Sequence, residues 1–81
     1  MPTRRPIFDP HALDQMAERG ITEADVGAAL ANPLSRRPSR FQREEVYGTA
    51  PGPRTLKVVI VAGSEPPYVI TVMRIDPRRI R

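Results

Sequence analysis

A chain of 81 residues with no cysteine and a single histidine, His11, has neither a disulfide framework nor a zinc site built from cysteine and histidine. The net charge is +4, and twelve of the thirteen basic residues are arginine. This indicates an anionic partner such as RNA, DNA or an acidic protein segment. A GC-rich genome would favour the same composition. No stretch approaches the roughly 20 apolar residues of a membrane span, and no secretory signal is recognisable, so we expect a cytoplasmic protein without membrane association.

The first predicted element is a helix that begins after Asp9 and ends before Gly20. Asp9 is a typical N-cap, Pro10 suits the first helical position, and Gly20 suits the C-terminal cap. Helical spacing predicts one buried stripe, formed by Ala12, Leu13, Met16 and Ala17. The opposite side is then formed by His11, Gln15 and Glu18, with Arg19 at the boundary.

A second helix is predicted between Thr22 and the pair Asn32-Pro33. Thr22 and Asp25 have the spacing of a capping box, in which each side chain bonds the other residue's backbone N–H. The buried stripe of this helix is formed by Val26, Ala29 and Leu30. Because the link between the helices is very short, the sequence predicts a tight αα-hairpin.

Strands are predicted at residues 41–49, 56–62 and 68–75, and residues 34–40 are predicted to be a proline-broken loop leading into an edge strand. Short links imply antiparallel neighbours, and the last two strands are apolar enough to lie in the centre of the sheet. The predicted fold is therefore α+β, an N-terminal αα-hairpin packed on a curved three- to four-stranded antiparallel sheet. We expect one domain over residues 1–81, with an ordered core at about residues 7–75 and a basic, mobile tail at residues 76–81.

Short motifs follow these elements in a fixed order. They are His11-Ala12, Met16, Arg19-Gly20-Ile21-Thr22, Asn32-Pro33, Tyr47, Leu56-Lys57-Val58-Val59 and Val69-Ile70-Thr71-Val72. Over about residues 8–75 they resemble a small family of uncharacterised bacterial proteins with the pattern HA…M..RGI…VITV. Gln15 departs from the arginine that many members of that family carry before the methionine.

That family is similar in plan to the RelE and BrnT toxins and, more distantly, to barnase-like and colicin ribonucleases. The resemblance implies a RelE-like fold, with two helices on a curved antiparallel sheet and RNA on the open face. It also implies a metal-independent endoribonuclease that needs no cofactor and is often paired with a cognate antitoxin protein. Self-association is a further way for so small a domain to gain stability, and the sequence leaves it open.

Metal-free cleavage of RNA requires a base for the 2′-hydroxyl, cations for the charge on phosphorus and an acid for the departing oxygen. His11 is the candidate base or acid, and Arg19 is the candidate phosphate clamp. Tyr47 and Thr71 are candidates for positioning the substrate or donating a proton. Each residue also has an ordinary structural interpretation: a solvated histidine, an arginine that suits a helix C-terminus, and two good strand formers.

Arginines provide the candidate contacts to the RNA backbone. The run formed by Arg36, Arg37 and Arg40 is either a track for phosphates or a solvated basic loop, and Arg43 and Arg74 are further phosphate ligands. We therefore predict a toxin-like endoribonuclease acting on single-stranded or ribosome-bound RNA. The alternatives are a non-catalytic RNA- or protein-binding module and a structural phage or operon protein. The single histidine favours the binding module, because it rules out a two-histidine acid–base pair.

Overall fold

A computed structural model describes residues 5–75, so the predicted tail at residues 76–81 lies outside the described residues. The two helices form within one residue of their predicted ends, and the last strand matches its prediction. The elements in chain order are β1 (Ile7–Phe8), α1 (Pro10–Arg19), α2 (Glu23–Ala31), β2 (Pro33–Ser39), β3 (Arg43–Ala50), β4 (Arg54–Val61) and β5 (Tyr68–Ile75). Neither helix of the described residues has the length and apolar character needed to cross a membrane.

The sheet has five strands in the order β1-β5-β4-β3-β2, and it is mixed. Strands β2 to β5 pair antiparallel, whereas β1 pairs parallel with β5 through two residue pairs. The α+β class is confirmed. The predicted antiparallel sheet of three to four strands is roughly matched by β2 to β5, but β1 adds a fifth strand that pairs in parallel. Strand β1 was not predicted, because a strand of two residues is too short to show an alternating pattern of apolar and polar residues. The predicted loop at residues 34–40 is the strand β2, which tolerates Pro33 and Pro38 because it lies at the edge of the sheet.

The helix caps form as predicted. Asp9 accepts a hydrogen bond from the backbone N–H of His11 at 2.9 Å, and Gly20 adopts the left-handed conformation with φ 67°. In the second cap, Thr22 Oγ1 accepts from the Asp25 N–H at 3.1 Å, and Asp25 Oδ2 accepts from the Thr22 N–H at 3.0 Å. Arg54 of β4 donates to the same Asp25 carboxylate at 2.7 Å, which ties the start of α2 to the sheet.

The helices pack on different parts of the sheet, α1 on β5 and α2 on β3 and β4, so the short link does not produce a closely packed helix pair. This changes which side of α1 is buried. Ala12 and Met16 are buried as predicted, but Leu13 is 40% exposed and Ala17 is exposed. The predicted stripe was centred too far toward Leu13. The reason is that α1 packs against the margin of the sheet and not against α2.

One face of the sheet carries the core, and both helices lie on it. Strand register puts Val46, Val58 and Val72 in one row across β3, β4 and β5, and these residues belong to the same buried cluster as Met16 and Val26. Side chains alternate between faces along a strand, so intervening positions point to the opposite side. We call that side the open face. It includes Arg37 of β2, Arg43, Glu45 and Tyr47 of β3, Lys57 and Val59 of β4, and Thr71 and Met73 of β5.

The turn between β2 and β3 has a strained backbone. Phe41 and Gln42 have φ of 60° and 58°, and the Arg43 N–H donates to the Arg40 carbonyl at 3.3 Å. Positive φ at both central positions is the property of a type I′ turn, which favours Asn and Gly. The predicted strand at residues 41–49 therefore begins later, at Arg43, because Phe41 and Gln42 belong to the turn.

Gly48→Ala is expected to destabilise the fold by about 3 kcal/mol, measured by denaturant unfolding. A Cβ at position 48 would lie 2.7 Å from the carbonyl carbon of Ala29 and closer still to its oxygen, so α2 would have to move. Gly27→Ala is the matched control. It lies inside α2 with no atom within 4 Å of an added Cβ, and we expect it to stabilise by about 0.5–1 kcal/mol. Equal effects of the two substitutions would contradict the proposed close approach.

Gln42→Gly is expected to stabilise the fold by about 0.5–1 kcal/mol. The left-handed conformation costs an L-residue about 1–2 kcal/mol, and the greater freedom of glycine in the unfolded chain offsets part of the gain. Thermal and urea unfolding of the variant measure the change. A loss of stability would show that Gln42 contributes more through its side chain than its backbone conformation costs.

Candidate functional site

Three side chains of α1 form a row beside β5. His11, Gln15 and Arg19 occur at every fourth position, so they lie on one side of the helix, adjacent to its buried stripe. The Gln15 side-chain amide contacts residues at both ends. Its Nε2 lies 3.0 Å from His11 Nε2, and its Oε1 accepts a hydrogen bond from the Thr71 hydroxyl. We call His11, Gln15, Arg19 and Thr71 the α1–β5 seam.

The contact with Gln15 orients the histidine. Nε2 of the His11 ring lies within hydrogen-bond distance of the Gln15 side-chain amide, at 3.0 Å. A neutral imidazole with an unprotonated nitrogen is the form that can act as a general base.

Arg19 is anchored at the edge of β5. Its Nη1 donates to the backbone carbonyl of Val72 at 2.7 Å, next to Thr71 in the strand. A guanidinium has five N–H donors in a planar fork, so this bond fixes the group while the other N–H groups remain available to an anion. The seam therefore places an imidazole, a hydroxyl and a cation along one side of β5.

Asp9 and Tyr68 support the end of the seam next to β1. The Tyr68 hydroxyl donates to Asp9 Oδ2 at 2.8 Å, while Asp9 Oδ1 accepts from the His11 N–H. The Tyr68 hydroxyl is the main reason that the pKa of Asp9 is lowered, and the His11 N–H adds to it. The Asp9 carboxylate in turn raises the pKa of Tyr68. The start of α1 is thus held against the start of β5.

A second group of polar side chains lies on the open face across β2, β3 and β4. We call Arg37, Glu45, Tyr47 and Lys57 the Tyr47 cluster. The Tyr47 hydroxyl donates to Glu45 Oε1 at 2.8 Å, Lys57 Nζ lies 3.8 Å from Glu45 Oε2, and the Arg37 guanidinium carbon lies 5.8 Å from the centre of the Tyr47 ring. The last contact is within the range of a cation–π interaction.

The hydrogen bond within this cluster changes the acidity of both partners. The Tyr47 hydroxyl is the main cause of the lowered pKa of Glu45, with the charge of Lys57 acting in the same direction. Burial and the adjacent Glu45 carboxylate raise the pKa of Tyr47. At neutral pH the cluster therefore combines an ionised carboxylate, a protonated phenol and two cations.

The structure brings together three of the four predicted catalytic residues. His11, Arg19 and Thr71 belong to the seam. Tyr47 shares the open face with Thr71, but β4 lies between their strands and Thr71 is in register with Glu45, which puts Tyr47 about 12 Å away at the usual spacings. Tyr47 is therefore not part of the seam.

The predicted phosphate ligands lie on different sides of the sheet. Arg37 and Arg43 are on the open face, and Arg40 is in the turn between β2 and β3. Arg36 and Arg74 lie opposite Val46 and Leu56, on the face that carries the core. Arg36 pairs there with Glu44 at 3.2 Å. The arginines therefore do not form one track.

Sequence reasoning missed Gln15, Glu45 and Lys57 as members of the site. Glu45 and Tyr47 are two positions apart on one strand, so their shared face was detectable, and only their hydrogen bond was not. Lys57 reaches Glu45 through the pairing of β3 with β4, and Gln15 reaches Thr71 across the margin of the sheet. Both contacts depend on strand order, which a local pattern does not contain. Among residues 5–75, no group of three or more histidine, aspartate or glutamate side chains is placed to hold a metal ion.

Residues 8–74 match the family described as a domain of unknown function, DUF4258. No curated protein matches the chain significantly. The same is true of the solved structures.

Tyr47→Phe is expected to raise the pKa of Glu45 toward its ordinary value, because the substitution removes the hydroxyl that stabilises the carboxylate. Tyr68→Phe should do the same to Asp9 and leave Glu45 unchanged. Carboxyl-carbon NMR titration of the wild type and both variants measures the two values, and each variant is the control for the other. If neither carboxyl group responds, the two tyrosine–carboxylate bonds are absent in solution.

Proposed function

The chain belongs to the DUF4258 family, and we propose that it is a metal-independent endoribonuclease of the toxin type, similar in plan to RelE and BrnT, with RNA lying on the open face of its sheet. The observation that carries this proposal is the α1–β5 seam. The His11 imidazole, the Thr71 hydroxyl and the anchored Arg19 lie together at the margin of that face, with Gln15 contacting the first two. We further propose single-stranded or ribosome-bound RNA as the substrate, a cognate antitoxin as the partner and the cytoplasm as the location.

In the proposed reaction, the RNA 2′-oxygen attacks the adjacent phosphorus and the bond to the 5′-oxygen breaks. This leaves a 2′,3′-cyclic phosphate on one product and a 5′-hydroxyl on the other. His11 Nε2 takes the proton of the 2′-hydroxyl, after the ribose displaces the Gln15 amide from the ring. Arg19 balances the charge that builds on the phosphoryl oxygens, and the Thr71 hydroxyl donates a hydrogen bond to one of them.

The departing 5′-oxygen takes its proton from water in this scheme. A single histidine cannot be the base and the acid of the same step, and Tyr47 lies too far from the seam to replace it. We assign the Tyr47 cluster to the neighbouring nucleotide instead, with Arg37 and Lys57 as its phosphate contacts. A reaction without a protein acid lacks one contribution of about 10²–10⁴-fold, so we expect a slow enzyme.

One observation favours a second function, a non-catalytic RNA- or protein-binding module. The polar groups of the site already satisfy one another, since Gln15 bonds both His11 and Thr71, and Glu45 contacts both Tyr47 and Lys57. Such closed networks stabilise a fold without chemistry. The module would bind RNA on the same face and leave it intact.

His11→Ala is expected to lower kcat/KM for a single-stranded RNA by about 10²–10⁴-fold in the presence of EDTA, while RNA affinity changes little. Cleavage is followed on end-labelled RNA, and the ends are tested for a 2′,3′-cyclic phosphate. Affinity is measured by fluorescence anisotropy with 2′-O-methyl RNA, which lacks the attacking hydroxyl. Glu18→Ala is the matched control, because Glu18 is an exposed residue of the same helix outside the seam.

Each alternative gives a different result in this assay. Wild-type protein that binds the 2′-O-methyl RNA but leaves unmodified RNA intact is the binding module. Cleavage that disappears with EDTA would overturn the metal-free mechanism. Equal losses in His11→Ala and Glu18→Ala would remove His11 from the chemistry.

A further inference from the structure

The turn between β2 and β3 displays an aromatic side chain that the fold does not use. Phe41 is 82% exposed, well above the 57% of Leu34, the next most exposed of the large hydrophobic residues described. It is not part of the buried cluster or of the residues packed against it. A large apolar side chain that stays in water gains none of the burial energy that normally accounts for its presence.

The backbone of Phe41 is also held in a conformation that bulky residues rarely adopt. Its φ of 60°, followed by 58° at Gln42, puts two consecutive non-glycine residues in the left-handed region. Strain of this kind persists where the surrounding structure enforces it, and it is concentrated at functional positions. Here the pairing of Ser39 with Arg43 and the hydrogen bond from the Ala62 N–H to the Gln42 carbonyl, at 2.8 Å, hold the turn.

Two arginines adjoin the exposed ring. Arg40 and Arg43 are the first and last residues of the turn. Ion pairs in the part of the chain that the structure describes involve other cations, namely Arg36, Arg54 and Lys57. Both turn arginines are exposed, so the ring is flanked by two positive charges that no described carboxylate neutralises.

The turn continues the open face. Arg43 shares that face with Tyr47, and four residues of strand separate them by about 13 Å. A nucleic acid strand that contacts the Tyr47 cluster and runs along β3 therefore reaches the turn within a few nucleotides.

We propose that Phe41 is a stacking platform for an unpaired base of single-stranded RNA, with Arg40 and Arg43 binding the phosphates on either side of that base. This inference rests on the proposed RNA substrate and adds a subsite to it. Stacking needs an exposed ring in a fixed orientation, and every base offers a π face, so the subsite selects unpaired RNA without selecting sequence. Arg40 and Arg43 make no ion pair among the described residues, and an anionic strand supplies the phosphates that would pair with their charges, which an apolar protein surface does not.

Phe41→Trp tests the platform directly. The wild-type chain has no tryptophan, so the new indole is the only one, and a base stacked on it quenches its fluorescence. The ligand is a short single-stranded 2′-O-methyl RNA, with the duplex of the same sequence as comparison. Leu34→Trp is the matched control, since Leu34 is an exposed residue near the opposite end of β2. In the Phe41→Trp variant we expect quenching by the single strand and weaker quenching by the duplex, and in the Leu34→Trp variant we expect none.

Phe41→Ala and Phe41→Leu measure how much the ring contributes. Loss of one stacked base should weaken binding of the single strand by about 5- to 150-fold. Leucine keeps an apolar side chain but has no π face, so it should weaken binding nearly as much as alanine. Full affinity in the leucine variant would overturn stacking in favour of apolar contact. Circular dichroism and urea unfolding verify that each variant is folded.

The remaining outcomes separate this inference from the proposed function. If wild type binds the RNA while Phe41→Ala binds equally well and the indole of Phe41→Trp is not quenched, the platform is wrong and RNA binding stands. If wild type binds no RNA, the proposed function and the platform both fail. A fluorescence response of Phe41→Trp to anionic lipid vesicles but not to RNA would overturn the platform and assign the turn to a membrane surface.

Discussion

The close approach of α2 to β3 is the constraint on which the arrangement of the molecule depends. Gly48 has no Cβ, and the backbone of Ala29 occupies the space that a Cβ would fill. The Thr49 N–H also donates to the carbonyl of Asn32, at 3.3 Å, just beyond the end of the helix. Because alternate residues of a strand point to opposite sides, a glycine under the helix puts Tyr47 and Thr49 on the other side. The contact that seats α2 therefore also determines which side chains form the open face.

Carboxylates connect the elements that this arrangement brings together. Asp25 joins the start of α2 to Arg54, Asp9 joins the start of α1 to Tyr68, and Glu45 joins two strands. Their hydrogen bonds lower all three pKa values. A lowered pKa means that the unfolded chain binds protons more readily than the folded chain does. The stabilisation is therefore complete above the ordinary values of 3.8 for aspartate and 4.5 for glutamate, and it decreases as the pH falls through the lower folded-state values.

Local signals in the sequence predicted most of the secondary structure, because each depends on residues that are close in the chain. The caps at Asp9, Gly20 and Thr22 are of this kind, and so is the apolar run of β5. Two errors arose where distant pairing decides the outcome. Strand β1 exists only through its pairing with β5, and β2 keeps its prolines only because its outer edge has no partner strand among the described residues.

The candidate site likewise has parts that local sequence predicts and parts that depend on contacts between distant elements. The sequence identified His11, Arg19 and Thr71 singly, and the packing of α1 beside β5 makes them neighbours. It did not identify Gln15 as the residue that connects them, because an outward-facing glutamine on a helix gives no signal of its own. The separation of Tyr47 from Thr71 depends on β4 lying between their strands, which follows from topology alone. The nuclease chemistry came from the family resemblance and stays a prediction.

The hydrogen bond from Arg19 to the Val72 carbonyl also affects the exposed edge of the sheet, where two copies of the chain could pair. Strand β1 covers only the first two residues of β5, so the rest of that strand would present backbone groups to any extended segment nearby. Such an edge is a template for intermolecular β-pairing. Arg19 satisfies one of these carbonyls with a charged group. The residue that we assign to phosphate thus also places a charge on a sheet edge, which is one of the ways in which proteins disfavour strand pairing between copies.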